Sequence, residues 1–202
     1  MSYFDPIMAK QSQPESAVVK TKLHARNLHR SNYDFDKLIS THDELKKFVK
    51  NNKYGNLSID FSDPNAVKSL NTALLKSFYN INFWDIPSGY LCPPIPGRVD
   101  YLHYAADLLA ESNNGQIPKR PLIRCMDIGV GANCIYPIIG NSIYGWRFTG
   151  TEIDEIAINA AKANVENNTE LKNNVDFKLQ LNSKDIYYGT VRRDDKFELS
   201  IC

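Results

Sequence analysis

At 202 residues the chain is long enough to bury one domain core and a small accessory unit. Apolar residues at 43% and charged residues at 23% are ordinary for a soluble globular protein. A formal net charge of +1 excludes a polycation, so any contact with nucleic acid has to come from local basic patches. No apolar run approaches the roughly 18 residues of a membrane span, and no secretory core opens the sequence. Cys92, Cys125, Cys134 and Cys202 form no C-x-x-C pair, and His24, His29, His42 and His103 form no metal motif. Reduced thiols, no metal and a cytoplasmic location are expected.

Residues 1–20 are polar and aperiodic and read as a loose tail. Lys20, Lys22, Arg26 and Arg30 then form a basic run with His24 and His29, free of acidic residues from Ser16 to Asn32. Such a run reads either as a solvated surface or as a phosphate-contacting patch. Short helical patterning covers residues 36–50. A clearer helix starts at Asp63-Pro64, an N-cap followed by proline in the first turn, with Val67, Leu70, Leu74 and Phe78 predicted as its buried stripe. Prolines 87, 93, 94 and 96 make the segment from Trp84 to Arg98 an ordered connector. A helix carrying Val99, Leu102, Ala106 and Leu109 follows, and residues 111–119 read as a linker.

Beyond Pro121 strands and helices alternate. The spacing predicts strands over 122–128, 146–151, 175–181 and 197–201, with helices over 135–143 and 154–167. That order predicts an α/β fold built on a parallel sheet with right-handed crossovers.

The chemistry concentrates in Asp127-Ile128-Gly129-Val130-Gly131, where the first strand ends. In open parallel sheets ligands bind beyond the carboxyl ends of the strands, and the two glycines allow close backbone approach. Glu152, ending the next strand, is placed to accept hydrogen bonds from ribose hydroxyls of a nucleoside cofactor. A dinucleotide fingerprint needs a third glycine, and Cys134 stands there instead. S-adenosylmethionine carries no phosphate and needs only D-x-G-x-G. An S-adenosylmethionine site is therefore favoured over an NAD-dependent oxidoreductase, with a bare glycine turn as the third reading. Arg98, held behind the prolines, fits the carboxylate of such a cofactor or simply sits on the surface. Cys125 and Cys134 read as core residues beside the turn.

The runs Leu23-His24-Ala25-Arg26-Asn27, Tyr54-Gly55, Ser58-Ile59-Asp60-Phe61, Trp84-Asp85-Ile86-Pro87 and Leu91 to Tyr101 together resemble the RlmF family, bacterial enzymes that methylate N6 of one adenine in 23S ribosomal RNA. Asp127 to Pro137 resembles that family's cofactor loop, and the similarity runs from about Lys22 to Cys202. The resemblance implies a class I methyltransferase fold, a Rossmann-like sheet cut after its fourth strand, preceded by a mostly helical RNA-binding module over 21–115. It implies S-adenosyl-L-methionine as cofactor, bound by Arg98, Asp127, Gly129, Gly131, Glu152 and Ser183. It also implies RNA contacts through Arg26 and Arg30, with Leu28 where some eukaryotic relatives carry arginine, and Lys22 and His29 of the same basic run are expected to join them. The family's Asn-Pro-Pro-Phe motif follows a strand like the one ending at Cys202, so no catalytic residue is expected within 1–202. The chain is expected either to bind cofactor without turnover or to act as an RNA-binding module, and its last strand is expected to form an open edge that self-associates.

Overall fold

The computed structural model describes residues 20–118, 123–182 and 184–202. Its centre is a four-stranded, fully parallel sheet of β3 (Arg124–Ile128), β4 (Arg147–Glu152), β5 (Val175–Leu179) and β6 (Leu199–Ile201), in the order β5-β4-β3-β6. Cys125, Phe148, Val175 and Leu199 are linked by the strand register and share one face. On it pack α4 (Ile135–Tyr144) and α5 (Glu155–Glu166). Residues 180–198 connect β5 to β6 with no α-helix among the described residues, tacked to the opposite face by the Lys178 ammonium donating to the Thr190 carbonyl at 2.5 Å.

Ahead of the sheet lie α1 (Phe35–Thr41), a two-residue hairpin of β1 (Lys50–Asn51) and β2 (Leu57–Ser58), α2 (Pro64–Tyr79) and α3 (Ile95–Glu111). The Asp63 carboxylate accepts from the Asn65 amide at 2.9 Å, as its position before Pro64 requires, and α2 ends in left-handed Asn80 at φ 57°. The buried stripe of α2 is Ala66, Leu70, Ala73, Leu74 and Leu75, whereas Phe78 is 36% exposed. The predicted stripe is thus rotated towards Ala73 and Leu75, because α2 meets both α1 and α4 rather than one neighbour. Helix α3 begins before Arg98, with Pro96 in its first turn.

The boundary expected near residue 115 is not a break in packing. Trp84, Ile95, Val99 and Leu102 belong to one continuous core with Cys125, Ile138 and Phe148. The proline-rich connector is held by Asn164 of α5 and by Asn168 just beyond that helix. Asn168 accepts from the Asn82 and Phe83 amides at 2.7 and 3.2 Å and donates to the Phe83 carbonyl at 2.7 Å. Asn164 accepts from the Asp85 amide at 2.8 Å and donates to the carbonyls of Asp85 and Ala132 at 2.8 and 3.2 Å.

Gly140 is where α4 comes closest to the sheet: a Cβ there would lie 2.5 Å from Phe148 Cζ. Gly140→Ala should therefore destabilise the fold by about 1–3 kcal/mol. Urea unfolding measures this, and an unchanged midpoint would contradict the packing.

Candidate functional site

β4 and β5 lie on one side of β3 and β6 on the other, so the strand order reverses between β3 and β6. Ligands of open α/β sheets bind in the crevice at that switch point, beyond the carboxyl ends of the strands. Here a cavity of about 230 Å³ opens, lined by Arg98, Asp127, Gly129, Gly131, Tyr136 and Cys202 among others. It is smaller than the roughly 300–1,000 Å³ of typical ligand pockets, the size of one end of an elongated ligand.

Gly129 and Gly131 have φ of 74° and 64°, the left-handed region in which a side chain is strained. The amides of Gly129 and Val130 both donate to the Thr151 carbonyl, at 2.8 and 2.9 Å, folding the turn back across β4. A Cβ on Gly129 would meet nothing within 4 Å, so the space above the turn is open to a ligand. Trp84 fastens the connector to the loop after the turn, its indole N–H donating to the Asn133 carbonyl at 2.8 Å.

Asp127 is 2% exposed, and its Oδ2 is buried with no hydrogen-bond partner among the described residues. Burial pushes its carboxyl up to about 7, assisted by the Glu152 charge and opposed by the Arg98 guanidinium. An unpartnered buried acceptor at the floor of a cavity is costly in isolation and becomes satisfied when a ligand donor arrives. Arg98 donates from Nη1 to the Tyr136 hydroxyl at 2.8 Å and lies 5.4 Å from the centre of that ring. Its remaining donors are available to a ligand carboxylate.

Four of the expected cofactor residues, Arg98, Asp127, Gly129 and Gly131, are thus brought to one cavity. Glu152 takes a different position. Its carboxylate accepts from the Gly131 amide at 2.9 Å and from the amides of Ile153 and Asp154 at 2.8 and 3.1 Å, locking the β3 and β4 loops together. Ser183 lies outside the described residues. Tyr90 and Tyr136 were missed by sequence reasoning. Tyr90 donates to Asp154 at 2.5 Å and carries the connector over the cavity, a pairing across 64 residues that no local spacing reveals. Tyr136 is signalled only by its place one residue inside α4 beside the turn.

The basic run divides. Lys22 is exposed. Arg26 pairs with Asp107 at 2.7 Å and donates to the His103 carbonyl at 2.9 Å, bracing the amino-terminal segment on α3. Arg30 is half-buried, with a weak 3.4 Å bond to the Ala25 carbonyl. His29 corrects the reading of this run as RNA-facing. It is fully buried, bonded to Tyr79 at 2.7 Å and Tyr33 at 3.1 Å, and burial depresses it to about 4, so it is a neutral packing residue with no access to phosphate. Cys125 and Cys134 are buried and their thiols are pushed well up, consistent with core packing. Among the described residues no group of three or more His, Cys, Asp or Glu could hold a metal ion, and no helix is long and apolar enough to cross a membrane.

A parallel sheet with its switch point beside a D-x-G-x-G turn defines a class I, Rossmann-like methyltransferase fold. Residues 17–202 match a family described as RNA methyltransferase, and the chain belongs to that family. This replaces the oxidoreductase reading. Among its relatives is the protein called ribosomal RNA large subunit methyltransferase F. The one from Cytophaga hutchinsonii is 51% identical over 195 residues, 96% of this chain and 61% of its own length. That from Serratia proteamaculans is 53% identical over 193 residues, 96% of this chain and 56% of its own. The chain thus spans about three-fifths of the length of these relatives. The amino-terminal domain of human METTL16 in complex with SAH superposes with a TM-score of 0.76 at 34% identity, covering 86% of this chain and 65% of that one. The METTL16 catalytic domain in complex with a MAT2A 3′UTR hairpin gives 0.67 at 36%, covering 78% and 53%.

The Asp127 carboxyl yields a pH prediction. Its unfolded value is 3.8 and its folded value about 7, so between these the folded state holds a proton that the unfolded state releases. Its contribution to stability is complete below about pH 4 and lost as pH rises through 7. Relative to Asp127→Asn, the wild type should lose stability over that window in urea unfolding at stepped pH. A constant difference would contradict the burial argument.

Proposed function

We propose that the chain is the cofactor-binding portion of an enzyme that transfers a methyl group from S-adenosyl-L-methionine to N6 of an adenine in 23S ribosomal RNA. The observation that carries this is the switch-point cavity, with its open glycine turn, an available guanidinium at Arg98 and an unsatisfied buried acceptor at Asp127. These donors and acceptors suit an amino-acid end bearing both carboxylate and ammonium.

When bound, the cofactor supplies an electrophilic sulfonium methyl group. Arg98 would hold its carboxylate, and Asp127 would accept from its ammonium. Gly129 and Gly131 leave room for the chain between them. Glu152 would present its remaining lone pairs towards the ribose while fixing the turn. No Asn-Pro-Pro run occurs within the 202 residues, so no group that positions an exocyclic adenine amine is assigned here, and the chain is proposed to bind cofactor without turning over. Lys22 and Arg30, with the exposed part of Arg26, form the RNA-facing strip, and the cytoplasm is where such a substrate lies. Solved complexes of METTL16 with RNA hairpins support an RNA substrate.

Isothermal titration with S-adenosylhomocysteine tests the reading. Binding is expected, and Glu152→Ala should weaken it by roughly 1–3 kcal/mol through loss of charged hydrogen bonds. No heat at millimolar ligand would refute it.

Self-association through the outer edge of β6 belongs to the same reading, since that edge has no strand partner among the described residues. Light scattering at rising concentration should show oligomers, and a strict monomer would remove this element.

A further inference from the structure

The motif residues Tyr54-Gly55 and Ser58 to Phe61 serve neither the cofactor cavity nor the core, Ile59 excepted. Tyr54 is 74% exposed and Phe61 67%, two large aromatic surfaces that folding leaves uncovered. Tyr54 sits in the loop of the β1–β2 hairpin with the Lys53 ammonium 5.0 Å from its ring centre. Phe61 lines a separate cavity of about 470 Å³ between this hairpin and the segment running from Lys20 into α1.

The walls of this cavity are mixed, with Tyr33, Phe35 and Leu57 adding apolar surface to a set of polar groups. Asn32, Asn52 and Asn56 bring amide groups, and Asp34 and Asp36 bring exposed carboxylates. The Asn52 carbonyl oxygen is spent on the hairpin turn, accepting from the Tyr54 and Asn56 amides at 2.9 and 3.1 Å, which leaves its NH₂ outward. Two carboxylates make the interior hostile to phosphate. Together with amide donors beside an exposed ring, they instead match the donor and acceptor edge of a nucleobase, whose face every aromatic side chain can stack. Cations lie at the margins. Lys20 lines the rim and its amide donates to the Arg30 carbonyl at 2.7 Å, so the cavity is continuous with the basic strip. Lys53 stands on the other side without a carboxylate partner among the described residues. A base inside with phosphates outside is the arrangement that single-stranded RNA binding requires.

We propose that this cavity holds an unpaired nucleotide of the RNA substrate, its base stacked on Phe61 and its flanking phosphates near Lys20 and Lys53. The site is distinct from the cofactor cavity and from the adenine that is methylated. It rests on the reading of the chain as RNA-binding, and it adds selection for an unstacked, single-stranded element.

Fluorescence anisotropy on the full 202-residue chain tests it, with labelled twelve-nucleotide oligo(A) and oligo(U) and a blunt twelve-base-pair RNA duplex as probes. The wild type should prefer the single strands. Phe61→Ala should lower their affinity roughly tenfold and leave the duplex unaffected, the scale of one lost base–aromatic stack. Phe61→Tyr, which keeps the ring, should retain single-strand binding, and both variants should bind S-adenosylhomocysteine like the wild type. Lys53→Ala should reduce the slope of log affinity against log salt by about 0.7, one single-strand phosphate. Equal loss on duplex and single strands, or unchanged affinity in Phe61→Ala, overturns the cavity. Lys22→Ala and Arg30→Ala separate the two levels: if these alone weaken binding, the basic strip stands and the nucleotide site falls. Absence of any RNA binding overturns both.

Discussion

Two asparagines four residues apart, Asn164 in α5 and Asn168 just past its end, tie the connector to the glycine loop beside the switch-point cavity. The two side chains, both buried, accept from the backbone amides of Asn82, Phe83 and Asp85 and donate to the carbonyls of Phe83 and Asp85 and to the glycine loop at Ala132. Leaving such buried backbone groups unpaired costs about 1–3 kcal/mol each, so the proline-rich segment has one stable position against the sheet. That position sets Trp84 against the Asn133 carbonyl, Tyr90 against Asp154 and Arg98 against Tyr136. The helical region and the sheet are consequently one packed body.

The site is organised around an electrostatic imbalance. Asp127 is buried deeply enough to rise towards neutrality, and the guanidinium that opposes this, Arg98, is held on the Tyr136 hydroxyl. Glu152, by contrast, accepts from three loop amides and acts first as a clamp between β3 and β4. Two acids that look equivalent at strand ends thus do different work. One shapes the turn, and the other awaits a donor.

Much of this was legible in the sequence where the signal is local. Asp63-Pro64 and Asp154 announced their helices because caps act within three residues, and the glycine turn announced the switch point because positive φ excludes most side chains. What failed depended on distant partners. His29 lies in a run without acids and reads as surface, yet the hydroxyl that buries it comes from Tyr79, fifty residues on. Asn164 and Asn168 carry no signal of their own, since nothing near them in sequence shows the connector. The α2 stripe was rotated because periodicity reports one buried face, while this helix is covered by α1 and α4 together.

The reach of the asparagine clamp also orders events during synthesis. Asn82, Phe83 and Asp85 precede their partners by 79 to 86 residues, and Trp84 precedes its acceptor Asn133 by 49. At about 5–20 residues per second, a ribosome needs on the order of 4–17 seconds to deliver α5 after the connector. Throughout that interval the apolar side chains of Trp84 and Ile86 lack their final cover, and the nascent helical half is open to chaperones. The glycine loop therefore gains its bond from Asn164 at Ala132 only once α5 has been made.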